Sequence, residues 1–206
     1  MRPALLDMLA GGVVLVTALL LVRAWLQVRL RHPPFALDHA VMLVFFAVFA
    51  EALSRLVCGV ERLAGYDTSP PMRYALLAGS PAEFWWRWNH RVHGWLMLNV
   101  FRPCGGRSAP IRGLALTFLV SGIHHEAIFA VVTERIDGYQ LMFFLLQIPA
   151  VAASPKLAGW WRQSGRAGRT IGWLVTVTWF YFTSMLFFHG VNRVFPGFYA
   201  SETWLP

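Results

Sequence analysis

Long apolar runs, separated by short clusters of proline, glycine and charge, set the pattern of this chain. Residues 4–24, 36–57, 113–133, 139–153 and 170–189 are the runs that come nearest to the roughly 20 apolar residues a bilayer crossing needs, and they predict five spanning helices. No small-residue cleavage site follows the first run, so it reads as a retained helix and not a signal peptide. His32-Pro33-Pro34 breaks any continuation of that helix, and Asp137-Gly138 predicts a tight turn. A glycine- and arginine-bearing loop is expected from Pro103 to Arg112, and a basic loop at 156–169 with Lys156, Arg162, Arg166 and Arg169. Residues 59–79, with Pro70-Pro71, are too polar to span and predict a loop plus a short surface helix. The tail, with Pro196-Gly197, looks ordinary.

One stretch fits neither class. Ser80-Pro81-Ala82-Glu83 has the form of an N-cap, a proline at the first helical position and an acid in the first turn. The helix it starts, over about 81–102, mixes Phe84, Trp85, Trp86, Trp88, Trp95 and Phe101 with Arg87, Arg91 and Arg102. Tryptophan with arginine marks the membrane–water interface, so this helix is expected to lie at the headgroup layer or dip into it. An interfacial belt is the simpler reading of its tryptophans. In the second run, Glu51 and Arg55 stand four apart on one face and predict a self-neutralising pair.

Composition agrees with the pattern. Of 206 residues, 57% are hydrophobic and 14% charged, against about 25% charged in soluble domains. The fold class is therefore all-α: a polytopic integral membrane protein with about five spanning helices plus interfacial or re-entrant ones. Residues 1–206 read as a single membrane domain, with 80–129 as its core. The net charge of +8 is nearly all arginine. Loop charge places 80–112 and 156–169 on the cytoplasmic side. The loop at 29–34 is basic too, which requires either a re-entrant 36–57 or a further crossing within 59–102. Basic residues interleaved with membrane-depth segments exclude a nucleic-acid partner. Cys58 and Cys104 form neither a disulfide framework nor a zinc site.

Chemistry gathers in the third run. Ionisable groups at the centre of a spanning helix cost about 2.5–3.5 kcal/mol each on insertion scales, yet His124, His125 and Glu126 stand there in a row. On a helical wheel Phe118, Ser121, Gly122, His125, Phe129 and Val132 share a stripe, with His124 and Glu126 about 100° to either side. Ser121 and Gly122 leave room beside the His125 ring, although Ser121 could equally bond its own helix. A neutral imidazole in a dry slot suits a general base acting on an alcohol. Glu126 and His124 are supporting candidates, and Asn89 is an uncharged donor and acceptor that could polarise a carbonyl. The simpler reading of the histidine is an interhelical bridge.

These residues carry a resemblance. Ser80-Pro81-Ala82-Glu83-Phe84-Trp85-Trp86-Arg87-Trp88-Asn89, followed by Phe118-Leu119-Val120-Ser121-Gly122-Ile123-His124-His125-Glu126, resembles the paired signature of the membrane-bound O-acyltransferase family, nearest its wax synthase-like branch. The family shows S-x-x-[DE]-F-W-x-R-W-N and then F-x-x-S-G-x-x-H-E, and both halves match in order and spacing. By that pattern Asn89 falls on the family's asparagine and His125 on its catalytic histidine, while His124 falls on a variable position. The resemblance implies transfer of an acyl group from acyl-CoA to the hydroxyl of a lipid alcohol, without metal, cofactor or acyl-enzyme. It implies that Trp85, Arg87, Trp88, Arg91 and Arg102 face acyl-CoA, with Arg107 and Arg112 nearby, at a cytoplasmic entrance. Members of the family are usually longer, so this chain is expected to be compact, a fragment or inactive, and a homo-oligomer could supply missing walls. Two other readings remain: a membrane scaffold or lipid-binding protein keeping the motif, and a histidine-box di-iron hydroxylase built on His90, His93, His124 and His125.

Overall fold

The computed structural model describes residues 2–29 and 33–200. Within them the chain is helical without strands: α1 (Arg2–Arg29), α2 (Phe35–Leu63), α3 (Pro81–Trp88), α4 (His90–Leu96), α5 (Pro110–Thr133), α6 (Tyr139–Gln163) and α7 (Gly165–Val194). A 3-10 turn at Ala75–Leu77 and a π-helical turn at Met97–Phe101 complete the path. α1, α2, α5, α6 and α7 are long and apolar enough to cross a membrane. The protein is an integral, multi-pass membrane protein. His32 of the expected break and residues 201–206 of the tail lie outside the described residues, as does the side chain of Arg162.

The helices run longer than the apolar runs. α2 continues to Leu63 because its last polar turn finds partners: Arg62 pairs with Asp7 of α1, and Arg55 lies 3.0 Å from Glu51, as its spacing predicts. The expected basic loop at 156–169 is not a loop. α6 carries through Pro149 and Pro155 to Gln163, and after Ser164 α7 begins at Gly165, φ +60°. In the turn that Pro155 interrupts, the Ser154 hydroxyl donates to the Ala150 carbonyl, 2.8 Å.

Small residues let the helices approach. A Cβ on Gly122 would stand 3.2 Å from the Leu141 backbone, and one on Gly11 3.0 Å from the Ala52 carbonyl oxygen. Gly190 packs against Gln140 and Phe129 in the same manner.

The segment at 81–101 corrects the expectation of one continuous helix. It breaks at Asn89 (φ −162°, ψ 83°), which ends α3 and starts α4. Partners from the preceding loop make the break affordable: the Arg73 N–H donates to the Arg87 carbonyl (2.9 Å) and the His90 N–H to the Pro71 carbonyl (3.0 Å). Ser80 caps α3 as read from its sequence, accepting from the Glu83 N–H at 3.2 Å. The Ala82 N–H is held by the Ser154 hydroxyl of α6 (3.1 Å), Arg91 by Glu61 of α2, and Phe101 lies against Gly113 of α5. The segment enters the bundle and returns to the end from which it came.

Loops therefore sort into two ends. Residues 64–80, 102–109 and 164 lie at one, and Pro33-Pro34, the 134–138 turn and residues 195–200 at the other. α2 is neither re-entrant nor accompanied by a hidden crossing among the described residues; the end of α1 and the start of α2 sit opposite the loop at 102–109. The tail is also more than ordinary. Tyr199 is buried, its hydroxyl donating to His39 Nδ1 at 2.7 Å. Asp38 accepts from the Ala200 N–H (2.7 Å) and from Trp25 Nε1 (2.8 Å), tying residue 200 to α1 and α2.

Candidate active site

His125 sits on the α5 stripe that the wheel predicts, half-buried. Its Nδ1 lies 2.8 Å from the Ser121 carbonyl oxygen one turn back. A carbonyl oxygen only accepts, so Nδ1 carries the proton and Nε2 of the neutral ring holds the free lone pair. The ring packs on Phe144, centroids 4.5 Å apart, with Phe187 at 5.9 Å. It borders a cavity of about 70 Å³ lined by Trp85, Trp88, Phe144, Phe187 and Ser184, among others. An apolar slot with one basic nitrogen is what proton abstraction from a membrane-dissolved alcohol requires.

The neighbours of His125 divide. The Ser121 hydroxyl turns to its own helix, donating to the Thr117 carbonyl at 3.0 Å. His124 points outward from the bundle, its ring edge-on to His125 with centroids 5.7 Å apart. Glu126 is buried and faces away from the cavity. Its carboxylate accepts from the Asp137, Gly138 and Leu141 N–H groups at 3.0, 2.6 and 3.1 Å. An anion on orphan N–H groups at a helix start is favourable, so Glu126 fastens α5 to the start of α6. Among the described residues no ion pair joins it to a positive group.

Asn89 is not among the residues lining the cavity. Its Oδ1 accepts from the Val92 N–H at 3.2 Å, as the N-cap of α4. Trp85 and Trp88, read as an interfacial belt, instead enter the core: Trp88 stacks on Phe84 at 5.6 Å and on Phe46 at 5.9 Å. Trp85 packs on Phe118 at 5.4 Å and Phe144 at 5.5 Å. Trp86 and Trp95 keep the outward position. The physical reason is the dip of α3, which turns one face of an aromatic helix into the bundle.

The arginines also divide. Arg87 is held by Glu83 at 2.7 Å, and Arg91 by both oxygens of Glu61 at 2.7 and 2.6 Å. The Glu61 bond raises the guanidinium pKa of Arg91. Arg102 and Arg107 are exposed at the same end, and among the described residues neither has a carboxylate partner. A second cavity of about 360 Å³ adjoins the first, sharing Ala47, Leu76 and Trp88 with it. Its charged lining, Glu51 and Arg55, is mutually paired.

The histidines of the di-iron reading do not gather. Among the described residues no three His, Cys, Asp or Glu side chains converge as a metal site. The His90 ring is bonded to the Pro71 carbonyl (3.0 Å) and the Ser69 hydroxyl (3.1 Å), and burial, with His90 alongside, lowers the pKa of His93. Sequence reasoning missed Ser184, Phe144 and Phe187. Ser184 did carry a signal, as a hydroxyl in the middle of a spanning run.

Comparison with known proteins follows the geometry. The profile of the membrane-bound O-acyltransferase family matches residues 20–189. The chain is 32% identical over 95 residues to diacylglycerol O-acyltransferase 1C of Glycine max, covering 45% of this chain and 18% of the relative. It is 33% identical over 137 residues to probable long-chain-alcohol O-fatty-acyltransferase 3 of Arabidopsis thaliana, covering 57% and 40%. It is 34% identical over 64 residues to probable sterol O-acyltransferase 2 of Schizosaccharomyces pombe, covering 31% and 14%. The matched part thus spans well under half of each relative. No solved structure matches the chain.

Proposed function

Because this chain belongs to the membrane-bound O-acyltransferase family, we propose that it transfers a fatty acyl group from acyl-CoA to the hydroxyl of a lipid alcohol, with His125 as general base. The observation that supports this reading is His125, with its Nδ1 bonded to the Ser121 carbonyl and so Nε2 left basic, in the lining of an aromatic cavity within the spanning bundle. Nε2 takes the hydroxyl proton as the alcohol oxygen attacks the thioester carbon. The tetrahedral intermediate collapses by breaking the carbon–sulfur bond, and the departing thiolate recovers the proton from the imidazolium. Products are the ester and free CoA, no acyl-enzyme forms, and no cofactor is consumed.

The chambers suggest the places of the reactants. About 70 Å³ beside His125 accommodates the reacting groups but not a chain, and the adjoining chamber of about 360 Å³ accommodates apolar chain. Arg102 and Arg107 are the arginines best placed for CoA phosphates, at an end read as cytoplasmic from its charge. Arg87 and Arg91, occupied by carboxylates, brace the α3–α4 break. Asn89 contributes by making that break, which brings Trp85 and Trp88 to the cavity.

The test is transfer of label from acyl-CoA by purified protein to a panel of long-chain alcohol, diacylglycerol and sterol, with product identified by mass spectrometry. His125→Ala is expected to lose about 10²–10⁴-fold in rate. Equal transfer by both proteins removes His125 from the mechanism. No transfer by the wild type leaves the scaffold reading.

A further inference from the structure

Acyl transfer needs a hydrogen-bond donor where the thioester oxygen gains charge. The asparagine that the sequence offers for this task caps α4 through its Oδ1 and is not among the residues lining the cavity. The cavity lining contains another donor. Trp85 borders it, and its indole Nε1–H is buried without an acceptor. Three tryptophans elsewhere have acceptors: Trp179 Nε1 donates to Gln147 (3.0 Å), Trp173 Nε1 to the Leu76 carbonyl (2.8 Å) and Trp25 Nε1 to Asp38 (2.8 Å). A buried N–H left unpaired in hydrocarbon is unfavourable and calls for an explanation.

Its surroundings supply one. Trp85 and His125 pack on the same ring, that of Phe144, with centroids 5.5 and 4.5 Å away. The Trp85 indole is flanked on its other sides by Phe118 and Phe180, at 5.4 and 5.9 Å, so the donor is held before any reactant arrives. Ser184, also in the lining, already bonds the Tyr181 carbonyl and the His39 ring at 3.3 Å each. Its hydroxyl proton is committed elsewhere.

We propose that Trp85 is a catalytic residue: its Nε1–H donates to the thioester carbonyl oxygen of acyl-CoA and stabilises the oxyanion formed when the alcohol attacks. This deepens the acyltransferase reading and rests on it. As the oxygen–carbon bond forms, the carbonyl π electrons move onto the oxygen facing Trp85 and the hydroxyl proton moves to His125 Nε2. When the carbonyl re-forms, the carbon–sulfur bond breaks and the thiolate takes the proton back. The indole gives up no proton at any stage. A neutral donor suits this position because it adds no charge to an aromatic cavity.

The experiment compares Trp85→Phe, which keeps an aromatic ring and removes the N–H, with Trp88→Phe and the outward-facing Trp86→Phe. Trp85→Phe is expected to lower kcat about 100-fold while KM for acyl-CoA stays within about twofold, because the bond strengthens in the transition state. Trp86→Phe is expected to match the wild type. An independent measurement leaves the indole in place: infrared spectra of acyl-CoA labelled with carbon-13 at its carbonyl, bound to His125→Ala protein. The thioester stretch is expected below its frequency in detergent micelles, and to return to that frequency when Trp85→Phe is added. Wild-type kcat in Trp85→Phe, a loss confined to Trp88→Phe, or an unshifted carbonyl overturns the assignment while the acyltransferase reading stands. Absence of turnover in the wild type overturns both.

Discussion

At the scale of single residues, local geometry decides what each polar group can do. His125 acquires its tautomer from a bond four residues back along its own helix; that is a local consequence of helix geometry and was in reach of the sequence once the helix was recognised. Asn89 is different, because its task depends on a chain break that the helical pattern does not announce. Replacing it separates capping from chemistry. Asn89→Ala removes the acceptor for the Val92 N–H and is expected to cost about 1 kcal/mol, read as a lower thermal midpoint of the detergent-solubilised protein. Asn89→Asp keeps an acceptor at the same place, and its midpoint is expected to stay near that of the wild type. If both variants unfold like the wild type, the capping role is wrong.

At the scale of elements, the bundle is held where polar groups of one helix meet backbone of another. Glu126 illustrates why such contacts stay hidden in a linear reading: its three partners lie between 11 and 15 residues away, across a turn. The wheel correctly turns Glu126 off the His125 stripe, but nothing in the wheel says what it meets there. Hydrogen bonds to charged groups contribute about 1.5–3 kcal/mol, so Glu126→Ala is expected to destabilise the α5–α6 hairpin by about 3 kcal/mol or more. Glu126→Gln, with one accepting oxygen, is expected to recover about half of that. Hydrogen exchange at Asp137, Gly138 and Leu141 is the direct check, with faster exchange expected in both variants. The dip at 81–101 follows the same rule: the satisfied N–H and carbonyl groups around Asn89 come from residues 71 and 73, in a loop that has no periodicity to read.

For the whole molecule, the arrangement of ends is the principal outcome. The tail and the 134–138 turn share one end, and Cys104 lies at the other; Arg193 reaches Asp137 at 2.7 Å and Asp38 holds the Ala200 N–H. Cys104 is half-buried at its loop, Cys58 fully buried, and the Arg135 side chain is 67% exposed. In sealed vesicles, a membrane-impermeant maleimide is therefore expected to label Cys104 from one face only. Arg135→Cys, in a Cys104→Ser background, should react from the opposite face alone. Labelling of both from one face would contradict the return of 81–101 to its own end. Positive-inside reasoning could not reach this arrangement, since it weighs loops by charge and assumes that each hydrophobic stretch either crosses or does not.

Transfer from water to lipid acts on each window of about 20 residues separately, and for that reason the amino-acid order alone settles the helical class, the five spans and the position of His125 on an inward stripe. The two motif halves, being contiguous, also specify the family. Contacts between distant segments follow another logic, since their free energy exists only after helices have packed. That is why the break at Asn89, the anchoring of Glu126, the burial of Trp85 and the folding-back of Tyr199 were decided by the tertiary structure, which alone determines what a buried polar group finds beside it.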